Sequence, residues 1–295
     1  LEIFAEEGID VSQGFTEAMD VYSSQPEFYY EDSDAGRQQI LDDYKTILDE
    51  IDAGLGDAFN VRPKAGIEVV RIPEFREKTA PGAYYEQPSL DGTRPGRFYA
   101  NLYDIEATPK FGMRTLAVHE GIPGHHFQIA IALELEGVPL LRRFGLFTAY
   151  VEGWALYAER LAWELGLVPT NADNIGRLTA ELFRAVRLVV DTGIHHKRWT
   201  REEAIDYMLA NTGMAESDVV SEIERYIVLP GQATAYKVGM MKILELRERA
   251  RNELGNDFDL AEFHDVVLKN GAVPLDILER LINEYIEATR SPAPA

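Results

Sequence analysis

The sequence predicts a mainly α-helical protein with a small antiparallel β-sheet, an α+β fold, from three observations. Apolar residues recur at helical spacing through residues 12–60 and again beyond residue 109. Between these stretches, residues 67–104 alternate or run β-branched among turn formers. A chain of 295 residues with 46% hydrophobic content can bury a large core.

In chain order, residues 12–60 read as helix with a break at Ser24–Pro26, and Ile40, Leu41, Tyr44, Ile47, Leu48 and Ile51 fall on one face. Residues 1–65 are therefore expected to form a helical packing arm. IEVVRIP, the turn-rich PGAYYEQPSLDGTRPG and the alternating RFYANLYD assign 66–108 to the small sheet. After Thr108-Pro109 the pattern gives helices over 112–136, 145–166, 171–195, 201–211, 216–227, 232–254, 258–268 and 274–289. Thr170 with Asp173, Thr200 with Glu202 and Glu203, and Pro274 supply helix-start chemistry. Only the terminal SPAPA reads as disordered. No shift in composition divides the chain, so residues 1–295 read as one unit, with 109–295 its site-bearing region.

A net charge of −21, from 29 basic and 50 acidic residues, repels phosphate backbones and anionic lipid. Nucleic acid and membrane surfaces are thereby excluded as expected partners, and no apolar run reaches the ~18 residues of a membrane span. The absence of cysteine removes disulfides, thiol nucleophiles and thiolate ligands, so any metal must be held by His and carboxylate. Cysteine usage and segment composition fit secreted, periplasmic and cytoplasmic settings alike. The start at Leu1 is expected to mark a fragment or a processed product.

The chemistry concentrates in TLAVHEGIPGHHFQIA, residues 115–130, which places His119, Glu120, His125 and His126 together in a chain of six histidines. Two histidines four apart share one helical face and one zinc ion, but the residue four after His119 is Pro123. On a straight helix His125 would lie ~9 Å along the axis and off to one side, and His126 ~10.5 Å away on nearly the same face. Pro123 between Gly121 and Gly124 predicts a break that returns His125 to the metal, with His126 as the alternative ligand. A third ligand is expected from AYVEGWALYAERL: Glu152, with Gly153 admitting close approach of this helix to the histidine helix. Glu159 fits a supporting role. The expected cofactor is a single Zn²⁺ on His119, His125 and Glu152, with Glu120 as general base.

The blocks HEGIPGHHFQ, EGWALYAE, DTGIHHKRW and PGQATAYKVG resemble the bacterial family called domain of unknown function 885, over about Ala83 to Glu279. That family is similar to gluzincin metallopeptidases and, more remotely, to Taq-type carboxypeptidases and thimet oligopeptidases. The resemblance implies a helical zincin-like fold, a zinc site, hydrolysis of a peptide or small amide, and family members about twice this length. It also implies that Tyr236 donates to the tetrahedral oxyanion, a task suited to an uncharged phenol. RFYANLYD would border the cleft as the equivalent gluzincin edge strand does.

His196, with His195 at the end of an apolar helix, is the remaining catalytic candidate, set against a capping role there. His264 reads as a structural histidine. Asn101 and Tyr85 suit the sheet surface better than contact with substrate. The competing functions are a metal-stapled, non-catalytic helical domain and a zinc hydrolase of a non-peptide amide. Structural zinc sites are closed by four ligands, often cysteine, so a cysteine-free chain with Glu120 beside the first histidine favours catalysis.

Overall fold

The Ser33 side chain accepts the Gly36 N–H and starts the long helix that carries Ile40, Tyr44, Leu48 and Ile51 into the core. The computed structural model of the chain describes residues 1–145 and 147–290. The SPAPA segment, 291–295, and Leu146, beside the expected helix start at 145, lie outside the described residues.

The N-terminal elements are α1 (Glu2–Glu6), α2 (Phe15–Ser23) and α3 (Asp34–Gly54). The chain then forms β1 (Ile67–Arg71), α4 (Glu74–Glu77), β2 (Ala83–Glu86) and β3 (Gly96–Ala100). Helices follow: α5 (Lys110–Glu120), α6 (His125–Glu134), α7 (Leu140–Arg143), α8 (Thr148–Glu164) and α9 (Asn171–His195). The last are α10 (Arg201–Asn211), α11 (Glu216–Val228), α12 (Gln232–Leu254), α13 (Leu260–Leu268) and α14 (Leu275–Arg290). The expected caps form: Thr170 accepts from the Asp173 N–H, and Thr200 and Glu203 make a reciprocal capping box. The break near Ser24–Pro26 is real, with α2 ending at Ser23. No helix among the described residues is long and apolar enough to cross a membrane.

The main core joins α3, the sheet, α5, α6, α8 and α12–α14 around Trp154, Tyr157, Phe98 and Phe127. A smaller cluster binds α9, α10 and α11 through Val190, Met208, Ile223 and Tyr226. A third holds α1 and α2 against Phe111 and Ile175.

Four expectations need correction. The sheet is mixed: its order is β1-β3-β2, with β1 parallel and β2 antiparallel to β3. The segment holding α4 carries the chain past the end of β1, so β2 lies on the far side of β3 and the hairpin return inserts β3 between them. The strand in RFYANLYD is thus central, both its edges paired, and the edge strand that lines the cleft is β2.

The histidine stretch is two helices, α5 and α6. Gly153 makes its close approach to α12: a Cβ there would sit 2.4 Å from the Gly239 Cα, and one on Gly239 1.7 Å from the Ala149 carbonyl oxygen. Bare backbone is the only surface that fits on either side.

Candidate metal centre

Glu120 ends α5, and the next four residues, Gly121-Ile122-Pro123-Gly124, form a turn before His125 opens α6. The Gly124 N–H donates to the Val118 carbonyl at 3.0 Å, a loop wider than a helical turn, and His126 N–H donates to the Gly121 carbonyl at 3.2 Å. A Cβ on Gly124 would lie 2.1 Å from the His119 carbonyl oxygen and 2.2 Å from that of Val118, so only glycine closes the loop. The Trp154 indole N–H donates to the Pro123 carbonyl at 2.9 Å, pinning the loop to the helix that carries Glu152. The extra residues loop out and His125 returns beside His119, their rings 4.8 Å apart and nearly perpendicular.

His119, His125 and Glu152 each offer a ligand atom within 4.8 Å of the others. Glu152 Oε2 lies 3.3 Å from His125 Nε2 and 3.6 Å from His119 Nε2. It is nevertheless buried without a hydrogen-bond partner, as is His125 Nδ1. Two imidazoles facing an unsatisfied carboxylate oxygen are a donor set suited to zinc, so the residues fit the ion the sequence implies. On its other side His119 Nδ1 meets Glu159 Oε1 at 2.7 Å. Glu159 stands seven residues after Glu152 on α8, and so projects from the same face two turns on.

Burial works against charge on His119, but its interactions with Glu152 and Glu159 outweigh that and lift its pKa to about 9. Burial alone would raise the Glu152 carboxyl, yet the two imidazoles hold it well below the ordinary carboxylate range. Both shifts have one origin: two carboxylates and two imidazoles are packed together at the buried floor of a cleft.

His126 turns away. Its Nε2 faces the Ala65 carbonyl at 3.0 Å and its Nδ1 the Tyr85 hydroxyl at 2.9 Å, and burial lowers its pKa to about 4. Asn101 is structural, its amide donating to the Glu77, Ala80 and Pro81 carbonyls. His264 is a satisfied core histidine between Tyr157 and the Ala58 carbonyl.

A cleft of about 690 Å³ opens onto the cluster, and Glu120, Tyr85, Arg225 and Tyr236 are among its lining residues. The Tyr236 ring stacks on His119 at 6.0 Å and 20°, and burial raises its phenol pKa. His196 is exposed at the C-terminal cap of α9 and is not among the cleft's lining residues. His195 faces the Tyr226 carbonyl at 2.8 Å.

Sequence reasoning missed Gln232 and Arg187, which contact Tyr236, and Arg225, which bonds to Gln232. A signal was present: Gln232 stands four residues before Tyr236, on the same helical face, and Arg187 interrupts an apolar run.

Comparison with known proteins finds no match among curated proteins. The similar solved structures include two described as lipoproteins. One, described as a "putative lipoprotein" from Colwellia psychrerythraea, is 51% identical, with a TM-score of 0.94 over 97% of this chain and 49% of that one. The other, a "putative lipoprotein of unknown function" from Shewanella oneidensis, is 22% identical, with a TM-score of 0.77 over 90% of this chain and 49% of that one, and shows the shared fold. The chain thus spans about half the length of these proteins. The model of the family described as "Bacterial protein of unknown function (DUF885)" matches residues 2–282, and the chain belongs to that family.

Proposed function

We propose that the chain carries the catalytic centre of a zinc-dependent peptidase of gluzincin type, with His119, His125 and Glu152 as ligands and Glu120 as general base. One observation carries the reading: ligand atoms of these three residues lie within 4.8 Å of one another, in a cleft that Glu120 and Tyr236 also line. Two histidines and a glutamate are a ligand set of catalytic zinc, with a position left for water or substrate. Zinc bound there supplies polarisation of the scissile carbonyl and a water acidic enough to deprotonate near neutral pH.

The chain's own residues do the rest. Glu120 accepts the water proton and returns it to the leaving amine. Tyr236 donates to the carbonyl oxygen as it becomes anionic. Glu159 accepts from His119 Nδ1–H and so leaves the Nε2 lone pair facing the ligand position. Strand β2, at the sheet edge and lining the cleft, offers backbone groups along which an extended peptide can add as a further strand, which favours a peptide over a small amide.

The test is hydrolysis of short peptides by zinc-loaded protein, abolished by a chelator and restored by zinc. Glu120→Gln should keep about one equivalent of zinc, as it is no ligand, and lose on the order of 100-fold or more in turnover. Undiminished turnover by that variant would remove the mechanism.

A further inference from the structure

Gln232 is the first residue of α12, after Gly231 in the left-handed region at φ +82°. The Gly231 N–H donates to both carboxylate oxygens of the buried Asp191, at 3.2 and 3.0 Å, which ties the start of α12 to α9. The Gln232 side chain meets three groups: Arg187 Nη2 at 3.0 Å and Arg225 Nη1 at 3.3 Å on one side, and the Tyr236 hydroxyl at 3.1 Å on the other. Guanidinium groups only donate, so the amide oxygen must face the two arginines. The amide nitrogen is then left for Tyr236, and it donates. The phenol oxygen is an acceptor in that contact, so its own hydrogen remains for a different acceptor.

The rest of the surroundings fix the ring. Arg187, 2% exposed, lies over one face of the Tyr236 ring at 4.2 Å from its centre, while His119 stacks on the ring at 6.0 Å. Arg225 is anchored in turn by Glu222, through contacts of 3.2 and 2.6 Å. We infer that Gln232, oriented by Arg187 and Arg225, is a positioning residue that makes the Tyr236 oxygen an acceptor on its protein side, and so turns its hydrogen toward the substrate oxygen in the cleft. The inference rests on the peptidase reading above, and it names the element that keeps Tyr236 a donor.

Gln232→Glu separates this role from packing. A carboxylate of the same shape keeps both arginine contacts but accepts from the phenol, turning its hydrogen away from the cleft. In zinc-loaded protein it should lower kcat on a short peptide at least ~10-fold, against ~100-fold for Tyr236→Phe, with KM and zinc content unchanged. Combined with Tyr236→Phe it should add nothing, because Gln232 acts through that hydroxyl. Wild-type kcat for Gln232→Glu, or full additivity in the double variant, overturns the inference.

A second readout needs no turnover. With 3-fluorotyrosine in place of tyrosine, the Tyr236 fluorine resonance is the one lost in Tyr236→Phe. Its titration midpoint should rise by more than one pH unit in Gln232→Glu, and also in the uncharged Gln232→Met, since either removes the donor that favours the phenolate. Unmoved midpoints overturn the assignment. If the wild-type protein cleaves no peptide, the peptidase reading fails and this titration alone decides the role of Gln232.

Discussion

Glu159 Oε1 lies 2.7 Å from His119 Nδ1, and this fixes which nitrogen of His119 is free to bind a metal. Glu159 is 3% exposed, and its second oxygen is buried without a partner. Its carboxylate serves the histidine alone. Glu159→Gln keeps the shape and removes the charge, so zinc affinity should fall by 10- to 100-fold or thereabouts while the fold persists. Competition against a chelator of known affinity measures it, and an unchanged affinity would assign Glu159 a packing role only.

His125 and His126 are adjacent yet should respond in opposite ways. His125→Phe removes a proposed ligand and should abolish stoichiometric zinc binding at micromolar metal. His126→Phe should retain zinc and lose stability, roughly 1–3 kcal/mol, because the Ala65 carbonyl and the Tyr85 hydroxyl are left unsatisfied. Metal analysis and urea denaturation of both variants settle the assignment, and zinc lost only from the His126 variant would reverse it.

The proton on His119 competes with zinc. Its pKa in the metal-free protein, about 9, lies above the ordinary value of ~6.5. Its charge therefore adds stability to the metal-free fold below pH ~6.5, and that stability is lost as pH rises through 9. Metal requires the neutral form, so apparent zinc affinity should climb by about tenfold per pH unit toward pH 9 and then level off. A flat affinity between pH 6 and 8, measured by zinc titration, would show that His119 is already neutral there.

The legible part of this site was local. Six histidines, three of them within eight residues around Gly-Ile-Pro-Gly, announced that His119 and His125 come together, because proline and glycine state their backbone needs in the sequence itself. Helices from Asn171 onward were equally legible, since their caps and apolar stripes are short-range signals. The partner of Gly153 was not: a glycine declares that something comes close, never what. The parallel pairing of β1 with β3 likewise depends on where the α4 segment carries the chain, a long-range choice that strand patterning does not encode. The position of His196 away from the cleft lining was hidden for the same reason. Its place at a helix end was readable, but the direction in which that end points is set by α9 packing across α10 and α11.

His264 makes a prediction far from the metal. Burial lowers its pKa to about 4, and its neutral form accepts from Tyr157 and donates to the Ala58 carbonyl. A folded value below the unfolded ~6.5 means its contribution is full above pH 6.5 and is lost as pH falls toward 4, by up to roughly 3 kcal/mol. His264→Gln should flatten the stability profile between those limits in urea denaturation. A profile as steep as the wild type's would assign the acid sensitivity to other groups.

The contact between Gly153 and Gly239 has a consequence for how such a cleft can diversify. Glu152 precedes one glycine and Tyr236 lies one turn before the other, so the gauge between ligand and phenol is set where two main chains touch, with no side chain between them. Lining residues away from that contact, such as Thr79 or Ser221, can then be exchanged to suit a different guest without moving the proposed reacting groups relative to one another. On the proposed mechanism, selectivity is mechanically decoupled from reactivity.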